Sequence, residues 1–270
     1  MNSYIADEKV NKWQWQYLVS KLILINNFIA TLALNLLDVF QIIYRDVIKG
    51  NFYVYNFMEN LRRITWTCLP IAMLTVSVSS IIYSIHVAPE FSSHGLSIYL
   101  GGIVALALIR EGVPVMGTLA IITQFCSGIT AEIGSMKVTE QLDAMKLAKV
   151  NPNGYLLLPM LFAGLFGFPI VIIVCILLAL VVNFIFSNLL INITHHLYLT
   201  SILNTVQLKD IFLALIKSSV FGFAATLISY TCGILTTGGS KAIGNSTRLS
   251  IIINFVLVVI LDYVITALWL

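Results

Sequence analysis

Charged residues are scarce in this 270-residue sequence, at 10% of the total, whereas apolar residues make up 59%. Soluble globular domains carry about 25% charged and about 45–50% apolar residues. The shortage of charge therefore excludes an ordinary soluble domain and indicates a membrane protein. The net charge is only +3, and no block of Lys and Arg is present, so the sequence gives no sign of nucleic-acid binding.

Motifs for catalysis, nucleotide binding and metal binding are also missing. The sequence has no GxxxxGK[ST] loop and no GxSxG elbow. The four cysteines stand singly in apolar runs, without metal-ligand spacing, and are expected to be small packing residues. His195 and His196 have no spaced carboxylate or histidine partner, which favours a solvated loop. We expect no catalytic residue, no metal site and no cofactor.

Five apolar runs are long enough to cross a bilayer, for which a helix needs about 20 predominantly apolar residues. They predict an all-α integral membrane protein. The runs cover residues 64–87, 98–127, 155–186, 209–237 and 249–270. Prolines inside the runs permit kinks, and glycines offer flat patches for close contact between helices. These residues are Pro70, Pro114, Pro169, Gly101, Gly102, Gly164, Gly167 and Gly222.

A sixth apolar stretch, about residues 15–48, has its large apolar residues along one helical stripe. Asn35 and Asp38 belong to a polar face on another side. A spanning helix would be apolar all round, so the pattern favours an amphipathic helix lying in the membrane interface over a sixth span. Its polar face would then meet water. Aromatic residues typical of interfacial anchors precede it, namely Trp13, Trp15 and Tyr17.

Basic residues are distributed unevenly between the segments that join the spans. With five spans, the segments 1–63, 128–154 and 238–248 lie on one side and carry every Lys and Arg outside the spans. The segments 88–97 and 187–208 carry none. Because basic residues are retained in the cytoplasm during insertion, the sequence predicts a cytoplasmic N-terminus.

Two adjacent charges, Arg110 and Glu111, lie in the middle of the second span. A charge at the bilayer centre costs roughly 2.5–3.5 kcal/mol even on the lenient insertion scale. Adjacent residues point about 100° apart on a helix, so the two do not easily pair with each other.

Two interpretations of this pair remain. Either the charges compensate or snorkel, or their face lines a polar cavity or meets polar groups on another helix. We favour the cavity, with Pro114 bending the helix at that depth. Two further charges lie in spans four and five. Lys217 could snorkel, and Asp262 could reach the outer interface or a basic partner, so structural roles are favoured for both.

One polar segment between spans has helix-forming composition, AEIGSMKVTEQLDAMKLAKVNPNG at residues 131–154. Ser135 can cap a helix over 135–148, and the NPNG sequence ends it. The helix would be amphipathic, with an apolar edge of Met136, Leu142 and Met145 and a polar face of Lys137, Glu140, Asp143 and Lys146. Such a helix lies on the membrane or enters a groove of a soluble partner, and both remain open.

Four segments resemble signature motifs of the MlaE/YrbE-type permeases. AEIGSMKVTEQLDAMKL (131–147) resembles the family loop AELGxMKVTEQIDAL, and IREGVPVMG (109–117) resembles LRELGPVL. LALIKSSVFGF (213–223) is similar to GLIKSxVFGF, and LDYVITALWL (261–270) is similar to the family's C-terminal ending. The order and spacing agree over about residues 60–270.

Members of that family are membrane subunits of ABC systems that move phospholipids or other lipids between membranes. The resemblance implies an N-terminal interfacial helix region at 1–60 and a permease domain at 61–270 with five spans. It implies a homodimer with a lipid cavity faced by Arg110, Glu111 and Pro114. A coupling helix between spans two and three would dock on an ATPase through Ser135, Met136, Lys137, Glu140, Gln141, Leu142 and Asp143.

The expected partners of such a permease are a separate cytoplasmic ATPase subunit, an MCE-domain protein on the outer side, a second copy of the chain and membrane lipid. The expected location is the cytoplasmic (inner) membrane of a bacterium, or an organelle inner membrane of bacterial origin. The sequence departs from the family by lacking arginines at Gln124, Met160 and in GNST (244–247), and glycines at Val113, Thr123 and Cys126. These losses suggest a diverged member, so a non-transporting membrane scaffold is the alternative function.

Overall fold

The computed structural model describes residues 26–44 and 53–269, and within these ranges the regular elements are all helical. It confirms an all-α protein with five helices long and apolar enough to cross a membrane. Spans one to five are Val54–Ser93, Ile98–Val138, Asn153–Ile191, Leu208–Ile234 and Ser240–Trp269. Spans one, two, three and five extend beyond the apolar runs of the sequence at one end or both, whereas span four ends at Ile234, before its run does.

The described helices are numbered in chain order. They are α1 (26–42), α2 (Val54–Arg62), α3 (Leu69–Ser93), α4 (Ser97–Ala107), α5 (Val113–Ile121), α6 (Ser127–Val138), α7 (Gln141–Leu147), α8 (Leu158–Ile191), α9 (His195–Thr205), α10 (Leu208–Ile234) and α11 (Ser240–Trp269). Four short π-helical segments interrupt the spans, π1 (Arg63–Thr67), π2 (Leu108–Gly112), π3 (Ile122–Cys126) and π4 (Asn153–Leu157).

Three of the π-helical segments stand just before a proline. π1 ends three residues before Pro70, and π2 and π4 end two residues before Pro114 and Pro159. Proline has no N–H, so the carbonyl four residues earlier loses its α-helical donor. That carbonyl belongs to the π segment each time, so the wider π-helical turn lies where the α-helical bond is lost. Pro169 lies inside α8, which continues through it.

Glycines bring two pairs of helices into close contact, as the sequence predicts for these positions. A Cβ atom added to Gly164 of α8 would lie 2.7 Å from the carbonyl oxygen of Gly222 in α10. A Cβ atom added to Gly101 of α4 would lie 2.8 Å from the carbonyl oxygen of Tyr198 in α9. In lipid, helix association depends on such van der Waals contact between small residues. The four cysteines are buried and free: Cys68, Cys126, Cys175 and Cys232.

The last span presents one narrow stripe to the rest of the bundle. Its buried residues are Ser250, Asn254 and Val258, four residues apart, and the same stripe continues through Asp262 and Thr266. The side chains of Ser250 and Asn254 donate hydrogen bonds of 3.1 and 2.8 Å to a serine hydroxyl of α10. This packing fixes the rotation of α11, so that Asp262 also points toward α10.

We call the end of the bundle that carries segments 128–154 and 238–248 the basic end, and α1 lies there. Its Asn35 is buried and donates from Nδ2 to Thr231 Oγ1 of α10 at 3.1 Å. The expectation that the polar face meets water is therefore wrong at Asn35. It meets polar groups of the bundle instead, and the apolar stripe is divided, because Leu32 and Leu36 pack against the core whereas Phe40 is exposed.

The position of α1 in the membrane interface stays a prediction. Trp13, Trp15, Tyr17 and the predicted helical residues 15–25 and 45–48 lie outside the described residues. The cytoplasmic placement of the N-terminus likewise stays a prediction.

Candidate functional site

Five ionisable side chains from three spans meet beside π2. Arg110 and Glu111 belong to π2 itself, Asp210 and Lys217 to α10, and Asp262 to α11. We call these five residues the intramembrane cluster. Three of the four segments that resemble family motifs contribute to it, so motifs far apart in the sequence converge on one place in the fold.

Lys217 is the centre of the intramembrane cluster and its side chain is 0% exposed. Its Nζ atom donates hydrogen bonds to Glu111 Oε2 at 2.8 Å and to the carbonyl oxygen of Arg110 at 3.0 Å. The same atom forms an ion pair with Asp262 Oδ1 at 2.7 Å. A buried ammonium is tolerated only when it is paired and hydrogen-bonded. Lys217 therefore does not snorkel, and of the two possibilities open for Asp262 the basic partner is the one present. Both residues have the structural role that the sequence favoured.

Pro114 explains why the Arg110 carbonyl is available to Lys217. In an α-helix that carbonyl would accept the N–H of residue 114, which proline lacks. The ammonium of Lys217 supplies a charged donor in its place. Pro114 is itself buried, so in the single chain it shapes the cluster through the backbone.

Arg110 is held by Asp210 at the start of α10. The Nε and Nη2 atoms of Arg110 both lie 2.7 Å from Asp210 Oδ1. The other carboxylate oxygen, Oδ2, accepts the backbone N–H of Gln207 at 2.9 Å and forms part of a capping box. Sequence reasoning missed Asp210. The available signal was an acidic residue in the first turn of the fourth span, where a carboxylate stabilises a helix N-terminus.

Both π2 charges meet polar groups on other helices. This arrangement belongs to the second interpretation of the sequence, in which their face lines a polar cavity or meets polar groups on another helix. Arg110 pairs with α10, whereas Glu111 pairs with α10 and also accepts a hydrogen bond from Thr266 of α11 at 3.1 Å. Their side chains are nevertheless 37% and 41% exposed. Charge exposed at this depth requires a polar cavity, water or a partner beside it. The cavity-lining role of Arg110, Glu111 and Pro114 stays a prediction.

The segment between spans two and three is helical, but Ser135 does not cap it. Helix α6 runs through Ser135 to Val138, and the chain turns at Thr139 and Glu140 before α7 begins. Glu140 has a φ of +59°, in the left-handed region. The N–H groups around Ser135 are already paired along α6, so no helix start exists there to be capped.

The apolar edge predicted for residues 135–148 is turned toward the bundle. Leu142 is buried, and Met136 and Met145 are half-buried against the core. This edge is therefore occupied by the protein's own bundle. The ATPase-coupling role of the seven residues stays a prediction, and of the seven Ser135, Glu140 and Gln141 are exposed.

A second group of charges lies on the outside of this segment. Asp143 accepts hydrogen bonds from Lys137 Nζ at 3.1 Å and Lys146 Nζ at 3.4 Å. We call these three residues the surface cluster. The two ammonium groups hold the pKa of the Asp143 carboxyl below its usual value, chiefly through the hydrogen bond from Lys137.

The chain is similar to known proteins over most of its length. The family model described as Permease MlaE matches residues 57–268. The chain belongs to the MlaE permease family. A protein of Synechocystis sp. named as a probable ABC transporter permease is 31% identical over 82% of this chain and 84% of that protein.

Two further relatives cover similar parts of the chain. Protein TRIGALACTOSYLDIACYLGLYCEROL 1, chloroplastic, of Arabidopsis thaliana is 30% identical over 84% of this chain and 65% of that protein. A protein of Rickettsia typhi named as a probable ABC transporter permease is 29% identical over 83% of this chain and 86% of that protein. These findings confirm an ABC-type membrane permease subunit whose ATPase is a separate partner.

Proposed function

We propose that this MlaE-family permease moves phospholipid, as a homodimer driven by a separate ATPase and coupled to an MCE-domain protein. Its location would be a bacterial cytoplasmic membrane or an organelle membrane of bacterial origin, with the N-terminus in the cytoplasm. The name of the Arabidopsis relative contains that of a diacylglycerol lipid, which supports lipid as the substrate class.

The observation that carries this proposal is the partial exposure of Arg110 and Glu111 within a membrane span. Hydrocarbon cannot solvate these groups, so a polar ligand or a water-filled space must lie beside them. A phospholipid headgroup supplies a phosphate for the guanidinium of Arg110. Its acyl chains suit the apolar surface of the surrounding spans.

The uneven burial of the spans supports a second copy of the chain. In the most apolar stretch of span two, 61% of the residues are buried, against 11% in span five. Span five leaves a long apolar face outward, through Ile252, Val256, Val259 and Tyr263. That face is available for lipid or for an identical span of another protomer.

Lipid co-purification tests the proposed substrate. We expect the detergent-purified chain to carry phospholipid, measured by mass spectrometry as moles of lipid per mole of protein. Glu111→Lys places a cation beside Lys217, and Glu111→Gln removes the charge while keeping the shape. Both should reduce bound lipid, whereas Glu90→Lys, which changes an exposed residue near the end of span one, should not. Full lipid binding and transport by both Glu111 variants would contradict the proposal.

Docking of the ATPase is tested at the turn before α7. Replacing Glu140 and Asp143 by Lys should reduce co-purification of the cognate ATPase, because both side chains lie at the surface of the segment between spans two and three. Glu90→Lys is again the matched control. Unchanged ATPase binding by the charge-reversed protein would rule out the coupling role.

The alternative function is a membrane scaffold that assembles with the same partners without moving lipid. The missing family arginines at Gln124 and Met160 favour it. A complete complex reconstituted in vesicles separates the two functions. Partner binding and ATP hydrolysis without transfer of labelled phospholipid would support the scaffold, whereas ATP-dependent transfer would support the permease.

A further inference from the structure

A cavity of about 500 Å³ opens at the basic end of the bundle, behind α7. It lies between α1, α7 and the turn that leads from α7 into π4. Its volume falls within the range of about 300–1,000 Å³ typical of small-molecule sites. We call it the basic cavity. Its charged lining residues are Asp38, Lys137, Lys146 and Lys149.

One wall of the basic cavity is a hydrogen-bonded set of amide groups. Asn153 Nδ2 donates to Asp38 Oδ2 at 3.0 Å and to Asn35 Oδ1 at 3.4 Å. Asn153 Oδ1 accepts the hydroxyl of Tyr230 at 2.9 Å, and Asn35 Nδ2 donates to Thr231 Oγ1. This wall ties α1, π4 and α10 together before any ligand arrives. Both N–H bonds of the Asn153 amide are used within this wall, so the charged donors left for a ligand are the lysine ammonium groups.

Positive charge is in surplus around the basic cavity. Lys137 and Lys146 share the single carboxylate of Asp143. Within residues 26–44 and 53–269, Lys149 forms no ion pair with a carboxylate. Its backbone N–H donates to the carbonyl of Lys146 at 3.0 Å, which holds the two lysines on neighbouring turns. Among the described residues, three ammonium groups are thus accompanied by two carboxylates, those of Asp38 and Asp143, and an anion in the cavity would balance the remaining charge.

An apolar surface adjoins the basic cavity. Beside it, α1 leaves the side chains of Leu34, Leu37 and Phe40 exposed, and the predicted position of α1 in the membrane interface would place them against hydrocarbon. The cavity thus lies where an apolar surface adjoins an ammonium-lined space. Clusters of basic residues next to a spanning helix bind anionic lipid headgroups by charge.

We propose that the basic cavity binds the phosphate of an anionic phospholipid, held by Lys137, Lys146 and Lys149. Lys137 and Lys146 would each keep one contact with Asp143 and direct their remaining N–H donors at the phosphate oxygens. This site lies in the basic end and shares no residue with the intramembrane cluster, whereas Lys137 also belongs to the predicted ATPase-coupling residues. The site goes beyond the proposed transport function, and the lysine variants that test it, at Lys146 and Lys149, lie outside the coupling set.

Binding of phosphatidylglycerol to the purified full-length chain tests the site. Native mass spectrometry over a lipid titration gives the dissociation constant, with phosphatidylcholine as the zwitterionic comparison. The double variant Lys146→Gln/Lys149→Gln should bind phosphatidylglycerol about 25-fold more weakly, because each lysine contributes roughly fivefold. Lys241→Gln, an exposed lysine at the start of α11, is the matched control and should bind as the wild type does.

A second variant should improve binding, which misfolding cannot do. Asp38→Asn removes one carboxylate charge from the cavity and keeps an oxygen that can accept from Asn153 Nδ2. We expect its affinity for phosphatidylglycerol to rise about fivefold, by the same charge contribution. Its affinity for phosphatidylcholine should rise less.

Three outcomes would overturn the proposal. The first is unchanged phosphatidylglycerol affinity in both the lysine and the Asp38 variants. The second is displacement of the lipid by millimolar inorganic phosphate, which would assign the cavity to a free anion. The third is loss of ATPase co-purification in Lys146→Gln/Lys149→Gln with lipid affinity unchanged, which would assign the lysines to the ATPase interface.

Discussion

The intramembrane cluster and the surface cluster are mirror images in charge. In the first, one ammonium, that of Lys217, is shared by the carboxylates of Glu111 and Asp262. In the second, one carboxylate, that of Asp143, is shared by the ammonium groups of Lys137 and Lys146. The N–O distances are shorter in the first, at 2.7 and 2.8 Å, than in the second, at 3.1 and 3.4 Å.

Their surroundings differ far more than their geometry. The shared residue is 0% exposed in the intramembrane cluster and 48% exposed in the surface cluster. A buried ion pair that loses one partner leaves an uncompensated charge, which costs about 3–5 kcal/mol. An exposed pair is solvated whether or not it forms, and salt screens it. Breaking the pairs should therefore destabilise the fold in the first cluster and change its stability little in the second.

The largest expected effect follows from removing the shared ammonium. Lys217→Met should lower the free energy of unfolding by about 3–5 kcal/mol, because Glu111 and Asp262 would remain without their common partner. Chemical denaturation in detergent measures this change. Lys146→Met in the surface cluster is the control, and a comparable loss there would break the comparison.

Neutralising the partners should recover part of that loss. In the triple variant Lys217→Met, Glu111→Gln and Asp262→Asn, no net charge is left buried at the centre of the cluster. We expect about half of the lost stability to return, since replacing a buried ion pair by neutral groups is often tolerated. If no stability returns, the loss in Lys217→Met comes from altered packing and not from the unpaired carboxylates.

A smaller effect is expected at the start of α10. Asp210→Asn keeps one oxygen for Arg110 but removes the charge of the pair. It should lower the free energy of unfolding by about 1.5–3 kcal/mol, the typical contribution of a hydrogen bond to a charged group. The same denaturation experiment measures it, with Lys209→Gln on the neighbouring exposed residue as the control. A smaller loss of stability in Asp210→Asn than in the control would show that the pair of Arg110 and Asp210 does not stabilise the fold.

The smallest effect concerns the pH dependence of the surface cluster. The pKa of Asp143 is lowered in the folded protein by Lys137 and Lys146. Its pairs therefore contribute fully above the usual value of 3.8 and are lost only as the pH falls through the lowered folded-state pKa. Carbon-13 NMR titration of Asp143 should show this midpoint below 3.8, returning toward that value in Lys137→Gln/Lys146→Gln. An unchanged midpoint in the double variant would contradict the pairing.

Sequence patterns predicted the parts of the fold that depend on local composition. Apolar runs located the spans, and glycines marked close helix contacts such as that of Gly164 with Gly222. The amphipathic pattern identified the apolar edge of α7. The pattern could not tell which surface that edge would meet, and in the structure Leu142 meets the bundle itself.

The candidate site was found only in part from the sequence. Arg110 and Glu111 stand out because charge is rare in a span, but their partners are about 100 residues or more away along the chain. Lys217 was placed wrongly because its position near a helix end is typical of snorkelling residues. Asp210 was missed because a carboxylate in the first turn of a helix usually stabilises only the N-terminus of that helix.

The sequence by itself determined that this protein is a five-span membrane permease of a known family, because composition and motifs are properties of short stretches. The tertiary structure alone decided that Lys217 is buried between Glu111 and Asp262 and that Asp210 holds Arg110. Each pairing depends on how the helices rotate against one another. That rotation is set by the π-helical turn before Pro114 and by the stripe along α11, whose effects appear only when the spans are packed together.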